Sequence, residues 1–376
     1  PELVTDFLDG DASRASRYYG LLASSFALMS FLFAPVLGAL SDRYGRRPVL
    51  LIALFGFGIN YLILAWAPTL AWLFVARIFS GIMGASFTTA NAYIADISTK
   101  ENRAANFGMA GAAFGLGFIF GPALGGLLGH YGPRTPFIAS AVIVLINWLY
   151  GLLILPESLP KERRRKFSLR QANPLGGIAT LGKYPLVAGL AVTFVLVSMA
   201  QRGMESTWVL YTHYRYGWEE LQNGLALARV GLMGALVQGV LVRKIVPYLG
   251  ERRAILVSIG VATTAFVLYG LAFHPAMMLV IVIFGALGGI GPPAIQSLVA
   301  GTVSPTEQGI VQGSLTSLMS MTAIVAPLIA TQLFAAFTGD DSILELPGIA
   351  FFMGALFMAA SIPLLLRTFR RNPAAN

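Results

Sequence analysis

The chain has 376 residues, of which 56% are hydrophobic and only 11% are charged, and its mean hydropathy is +0.72. A soluble globule of this size needs more charged side chains on its surface. The composition therefore places the chain in a lipid bilayer. The net charge of +9 does not indicate nucleic-acid binding, because the basic residues lie in short loops between apolar runs. The chain has no cysteine and only three scattered histidines, so we expect no disulfide, no metal site and no cofactor.

Eleven apolar runs follow a polar segment at 1–17, and each is long enough to cross about 30 Å of hydrocarbon. The sequence therefore predicts an all-helical membrane protein. The expected spans are 18–40, 47–66, 70–95, 104–129, 136–155, 185–210, 221–246, 253–273, 276–298, 308–336 and 347–366.

Basic residues fall on alternate connections between these runs, which predicts that those connections are cytoplasmic. The chain would then enter from the outer side of the membrane as a multi-pass protein, and its C-terminus would be cytoplasmic. We expect a further span upstream of Pro1, which would be the first of twelve. The basic connections contain Arg43, Arg46 and Arg47, then Lys100 and Arg103, then 161–166, then Arg243 to Arg253, and finally Arg367, Arg370 and Arg371.

The sequence repeats weakly at an offset of 205 residues. Gly45-x-Arg47 recurs as Gly250-x-Arg252, and Gly121-Pro122 recurs as Ala326-Pro327. Both copies begin with a basic hairpin on the same predicted side, so the two halves are parallel repeats. We expect an N-terminal half at 1–155 with helices 2–6, a cytoplasmic linker at 156–184, and a C-terminal half at 185–376 with helices 7–12.

The first basic hairpin has the pattern G-x-x-x-D-R-x-G-R-R, which runs from Gly38 to Arg47. Gly45 suits a turn with positive φ, Pro48 suits the first turn of the next helix, and the arginines suit the headgroup layer. The spacing resembles the loop 2–3 signature of the major facilitator superfamily.

Two further segments resemble signatures of the same superfamily. Arg77-x-x-x-Gly81-x-x-Gly84 is similar to its helix 4 signature. A glycine-rich run from Gly117 to Gly126 resembles the helix 5 signature of its drug/proton antiporters. Small residues permit close helix packing, which is the ordinary reading of such glycines, but a proline within the run also predicts a kink or deformation. The run contains Gly117, Gly121, Pro122, Gly125 and Gly126. A second broken helix is expected at 288–293, which reads Gly-Gly-Ile-Gly-Pro-Pro.

Taken together, these strings resemble the bacterial tetracycline efflux antiporters over essentially the whole chain. The resemblance implies a transporter rather than an enzyme, with twelve helices, alternating access and export of a small amphipathic compound against inward proton flow. Acidic residues of those exporters align with Asn60 and Ala262, and a histidine aligns near Gly234, so tetracycline is not the expected substrate. Alternatives are an organic-anion exporter without proton coupling and, with less support, a receptor that does not transport.

Ionisable residues inside predicted spans are functional candidates, because a charge in hydrocarbon needs a partner or a wet cavity. Glu205 is the proton-coupling candidate, and the alternative is that it forms a permanent ion pair with Arg202 or Arg229. With Arg77, these arginines favour an anionic or zwitterionic substrate over a cation. Polar residues that would line the cavity or join helices are Asn60, Asn91, Gln238 and Gln296.

The first hairpin also predicts a cytoplasmic gate formed by Gly38, Asp42, Arg46 and Asp96. We expect Asp42 to face the N-terminus of a helix in the second half, and Arg46 to approach Asp96. The resemblance implies the same contacts. The alternative is that Asp42 only balances the local arginines. The expected partners are a small organic substrate, protons and lipid, and a monomer suffices.

Overall fold

The computed structural model describes residues 2–9, 11–99, 103–164, 181–303, 308–339, 342 and 344–373. Within these ranges the chain is helical and contains no strand. Ten described helical segments have the length and composition to cross a membrane, and a shorter apolar one covers 115–129, so the eleven predicted spans are all present. The helices are α1 Glu2–Asp6, α2 Ala12–Tyr44, α3 Arg46–Trp66, α4 Leu70–Gly84, α5 Phe87–Asp96, α6 Arg103–Gly129, α7 Thr135–Ile154, α8 Pro185–Tyr216, α9 Glu220–Leu236, α10 Val242–Leu249, α11 Glu251–Leu271, α12 Pro275–Ala286, α13 Gly291–Thr302, α14 Gln308–Thr338 and α15 Ile349–Arg371.

The 205-residue repeat is visible in the helix limits. Both ends of α11 follow those of α3 by this offset (251 − 46 and 271 − 66), and Pro327 inside α14 follows Pro122 inside α6 by the same offset. The preceding turns also match, since Gly45 has φ 108° and ψ 157° and Gly250 has φ 75° and ψ 152°. Only glycine adopts this conformation readily, which explains why both copies of the hairpin carry one.

One helix break occurs at equivalent places in the two halves. The predicted break near 288–293 is confirmed, because a 3₁₀ turn at Leu287–Ile290 separates α12 from α13. The first half breaks at the equivalent place, Ala85–Ser86 (290 − 205 = 85), although no proline marks it. A π-helical turn at Val237–Leu241 joins α9 to α10 and was not predicted. By contrast, α6 remains helical through Pro122.

The first membrane-spanning helix of the described residues, α2, begins earlier than predicted. α2 starts at Ala12 rather than residue 18, because the Asp11 side chain caps it by accepting a hydrogen bond from the Arg14 backbone N–H at 2.9 Å. The preceding segment is not simply polar and exposed, since Leu3, Val4 and Leu8 are buried in a cluster that includes residues of α2, α3 and α4. The predicted linker at 156–184 lies partly outside the described residues, which resume at 181.

We call the end of the bundle that carries the Gly45 and Gly250 turns the hairpin end, and the opposite end the far end. In the described residues the halves meet chiefly through α2 with α14 and α6 with α9, with a smaller contact between α2 and α8. Hydrogen bonds between α2 and α14 run from Ser13 to Ser24, in the far half of α2. The contact between α6 and α9 lies at Gly126 and Gly224, near the far end.

Candidate substrate cavity and gates

A cavity of about 330 Å³ lies between the halves, with walls formed by α2, α8 and α14. Its position is central in the bundle, because Ser30 of α2 and Ser320 of α14 both lie near the middle of their helices. Most of its lining is apolar or hydroxylic. The lining residues are Tyr19, Ala23, Phe26, Ala27, Ser30, Arg202, Glu205, Ser206, Ser320, Ala323 and Pro327.

The charged groups of this cavity are Arg202 and Glu205, which are one turn apart on α8 and therefore share a face. Arg202 Nη1 donates to Glu205 Oε2 at 2.8 Å. Both side chains are partly exposed, at 44% and 39%, so the pair borders open space rather than packed protein. A substrate or a proton that enters the cavity therefore meets a pair of opposite charges that balance one another.

Other predicted cavity residues lie elsewhere in this structure. Asn60 is 2% exposed and is buried in the first half, and its Oδ1 has no hydrogen-bond partner among the described residues. Arg77 is half-buried on the face of α4 that carries Gly81 and Gly84, and both glycines contact α2. The three arginines are therefore not gathered around the described cavity. Arg229, Asn91 and Gln238 are exposed and are not among its lining residues. Gln296 lies on α13, but its side chain is outside the described part of the chain.

The glycines of the α6 run have two different surroundings. A Cβ atom at Gly117, Gly121 or Gly125 would meet nothing within 4 Å. A Cβ at Gly126 would overlap the backbone carbonyl of Glu220 at the start of α9. Close packing between helices therefore explains Gly126 in this conformation but does not explain the other three.

The hairpin end of the first half contains a network of charged residues around Arg46. Arg46 Nε donates to Asp96 Oδ2 at 3.1 Å, so the predicted approach of these residues is present. Its Nη1 lies 2.6 Å from Asp42 Oδ1, and its backbone N–H donates to Glu157 Oε1 at 2.8 Å. Gly38 is nearby, with its carbonyl accepting from the Ser41 hydroxyl. The ion pair of Asp42 in the described residues stays within its own half, so its predicted contact with the second half remains a prediction about another conformation.

Two parallel repeats that enclose a central cavity with a charged pair form the architecture of a membrane transporter. Residues 7–274 match the family model described as Major Facilitator Superfamily. The chain belongs to this superfamily, and it is a membrane transporter rather than an enzyme.

Curated relatives cover nearly the whole chain. The class C tetracycline resistance protein of Escherichia coli is 39% identical over 367 residues, which is 98% of this chain and 91% of that protein. The class B protein of Escherichia coli is 31% identical, with coverage of 100% and 91%. Among solved structures, the human organic anion transporter MFSD10 (TETRAN) is 28% identical with a TM-score of 0.67, over 92% of this chain and 83% of that chain.

Sequence reasoning did not predict most of the cavity wall. Tyr19, Phe26 and Ser320 line it, but tyrosine, phenylalanine and serine are ordinary residues in apolar helices and carry no separate signal. The charge rule for membrane spans did find Arg202 and Glu205. It could not say which charged residues face the same space, because that depends on how the helices pack.

Proposed function

We propose that the protein exports a small amphipathic organic compound across a bacterial inner membrane in exchange for protons. In this proposal the hairpin end and the C-terminus are cytoplasmic, in accord with the basic residues at that end. The halves are in contact at the far end, which corresponds to an inward-facing state. The observation that carries the proposal is the Arg202–Glu205 pair inside the central cavity. The resemblance to proteins named for tetracycline resistance supports a drug-sized substrate.

Exchange requires that substrate and proton use the same site at different times. Glu205 meets this requirement, because a proton on its carboxylate removes the charge that holds Arg202 at 2.8 Å. A substrate with a cationic group needs the ionised carboxylate, whereas the proton removes it. Competition of this kind couples the two flows without direct contact between substrate and proton.

The charge balance of the cavity favours a zwitterionic substrate over a simple anion. Arg77 and Arg229 are not among its lining residues, so Arg202 and Glu205 set its charge. An anion would pair with Arg202 but would leave the Glu205 carboxylate without its partner in the cavity. A zwitterion supplies an opposite charge to both members of the ion pair. The apolar lining, including Phe26, would cover the rest of such a molecule.

The second candidate is export of an organic anion without proton coupling. Its support is the named function of the human relative MFSD10. In that case Arg202 would bind the substrate, and Glu205 would be its structural partner. The two candidates differ in what a pH gradient does.

The test is uptake into everted vesicles with and without an imposed pH gradient, using a matched anion, zwitterion and cation of similar size. For the wild type we expect gradient-driven uptake of the zwitterion. Glu205→Gln should lose the gradient dependence but retain exchange of substrate down its own gradient. The control is Glu162→Gln, an exposed carboxylate outside the spans. Gradient-driven uptake that survives in Glu205→Gln would exclude Glu205 as the coupling residue, and gradient-independent anion transport by the wild type would favour the second candidate.

A further inference from the structure

The contact between α2 and α14 at the far end is a row of hydroxyl–carbonyl hydrogen bonds between the two halves. Ser13 Oγ donates to the Ala335 carbonyl at 3.1 Å, Ser16 Oγ to Thr331 at 2.9 Å, and Ser24 Oγ to Ile324 at 2.6 Å. The Ser16 side chain is fully buried and Ser24 is 5% exposed. Three side chains of one half thus bond directly to the backbone of the other.

Gly20 lies in the middle of this row and allows the backbones to approach closely. A Cβ at Gly20 would overlap Thr331 Oγ1 and would lie 3.1 Å from the Pro327 carbonyl oxygen. Thr331 Oγ1 cannot easily move away, because it is close to the main chain and donates to Pro327 at 2.7 Å. Any side chain at this position therefore separates α2 from α14.

The contact between α6 and α9 is its counterpart in the repeat. Pro327 and Thr331 follow Pro122 and Gly126 by 205 residues (327 − 122 and 331 − 126), and in each contact a glycine of the other half faces the proline carbonyl. A Cβ at Gly224 would overlap the Pro122 carbonyl and lie 2.9 Å from Gly126 Cα. Gly20 is one residue beyond the position equivalent to Gly224 (224 − 205 = 19). The α6–α9 contact is formed by glycines, whereas the α2–α14 contact adds a row of hydroxyl donors.

The α2–α14 contact directly borders the cavity. Pro327 belongs to both, and Ala23 and Ala323, which line the cavity, precede Ser24 and Ile324. Tyr19 also lines the cavity and packs against the core of the second half. To admit substrate from the far side, this contact has to separate.

We propose that Ser16, Gly20 and Ser24 form the closing contact of the far gate, and that its hydrogen bonds set the ratio of inward-facing to outward-facing protein. The serine hydroxyls keep a hydrogen-bond acceptor when the contact opens, because a serine within a helix can donate to a backbone carbonyl of its own helix. Ser25 of the same helix does so already, donating to the Leu21 carbonyl at 2.7 Å. The α14 carbonyls also lie within a helix and can keep their backbone bonds. The contact is therefore readily reversible, as a gate requires.

The test uses the absence of cysteine from these 376 residues, so that one introduced thiol is the reporter within them and labelling of the parent protein gives the background. Ala27→Cys places it in the cavity wall. Its reaction with a membrane-impermeant maleimide is measured separately from each side of the membrane, in intact cells and in everted vesicles. Hydrogen bonds between membrane helices are individually weak, so we expect Ser16→Ala to raise the ratio of far-side to hairpin-side reactivity about threefold, and Ser16→Ala with Ser24→Ala about tenfold.

Gly20→Ala should raise the ratio by more than the double serine variant, because it prevents closure sterically. The matched controls are Ser25→Ala, whose hydroxyl bonds within α2, and Gly234→Ala, where a Cβ meets nothing within 4 Å. Neither control should change the ratio. The proposal is overturned if the Ser16, Ser24 and Gly20 variants behave like the controls, or if reactivity rises from both sides together, which would indicate loss of folding. The readout needs no substrate and no pH gradient, so it is independent of the proposed proton coupling.

Discussion

The network around Arg46 has two parts that should respond differently to substitution. The Arg46–Asp96 pair is largely buried, with side-chain exposures of 10% and 26%, and Asp96 also accepts from the Ser158 hydroxyl. A hydrogen bond between charged groups contributes about 1.5–3 kcal/mol, and Asp96→Asn keeps an acceptor oxygen but removes the charge, so we expect it to lower the free energy of unfolding by up to that amount. Asp42 is 40% exposed, and after solvent screening Asp42→Asn should cost less than about 1 kcal/mol.

Transport should follow the opposite order if Asp42 also closes the hairpin end. Asp42→Asn should then reduce transport several-fold with little loss of stability, because its contact with the second half forms only in the other conformation. The assays are reversible unfolding in mixed detergent micelles and transport in proteoliposomes. Arg43→Ala is the control, since Arg43 is exposed and stacks on the Tyr44 ring at 5.0 Å. Equal destabilisation by Asp42→Asn and Asp96→Asn would refute the division into a structural pair and a gating carboxylate.

Two further predictions concern stability. Gly45→Ala should reduce folded yield more than Gly250→Ala, because both positions have positive φ but only a Cβ at Gly45 would also overlap Glu157; similar yields would show that backbone conformation alone sets the cost. Tyr211→Phe should lower the free energy of unfolding by about 1–2 kcal/mol, because the buried hydroxyl lies 3.0 Å from both the Tyr269 and the Ala272 carbonyl oxygens and donates its one hydrogen to this pair of acceptors. The apparent melting temperature in detergent measures this effect, and an unchanged value would mean that water replaces the lost donor.

The sequence predicted the transmembrane segments well because hydrophobicity in a bilayer is a strong, one-dimensional signal. It located the break before α13 because Gly291 and Pro292 mark it. It missed the equivalent break at Ala85–Ser86 because small residues without a proline are also common inside membrane helices. The repeat itself could have located this break, because it lies about 205 residues before the break that precedes α13.

The site was predicted less completely because it depends on which helix faces meet. The charge rule identified Arg77, Arg202, Glu205 and Arg229 as costly residues inside spans, but α2 and α14 enclose only the α8 pair in the described cavity. Similarly, the small-residue spacing of Ser16, Gly20 and Ser24 is readable in the sequence. The bonds that they form to α14 become apparent only when the two halves are assembled.

The two halves share their backbone plan but differ in the charges at the hairpin end, and the difference is informative. In each half an arginine donates to the last turn of a later helix, Arg47 to the Leu152 carbonyl at 2.7 Å and Arg252 to Phe369 at 3.3 Å. These equivalent contacts therefore belong to the common scaffold. The preceding residue differs, since Arg46 pairs with Asp96, whereas Glu251 accepts from the Ser297 hydroxyl.

A purely structural role would not require the two halves to differ here, because an Arg–Asp ion pair and a Ser–Glu hydrogen bond can each join two helices. A transporter that alternates between two conformations does gain from the difference. Two hairpins with the same excess of positive charge would repel each other when the hairpin end closes, whereas a partly exposed carboxylate in one half can approach the helix termini of the other. Asp42, the more exposed carboxylate of the Arg46 network, is placed for that approach, while Arg46 and Asp96 hold its helix in position. We therefore interpret Arg46 and Asp96 as residues that stabilise the first half, and Asp42 as a residue that acts between the two halves.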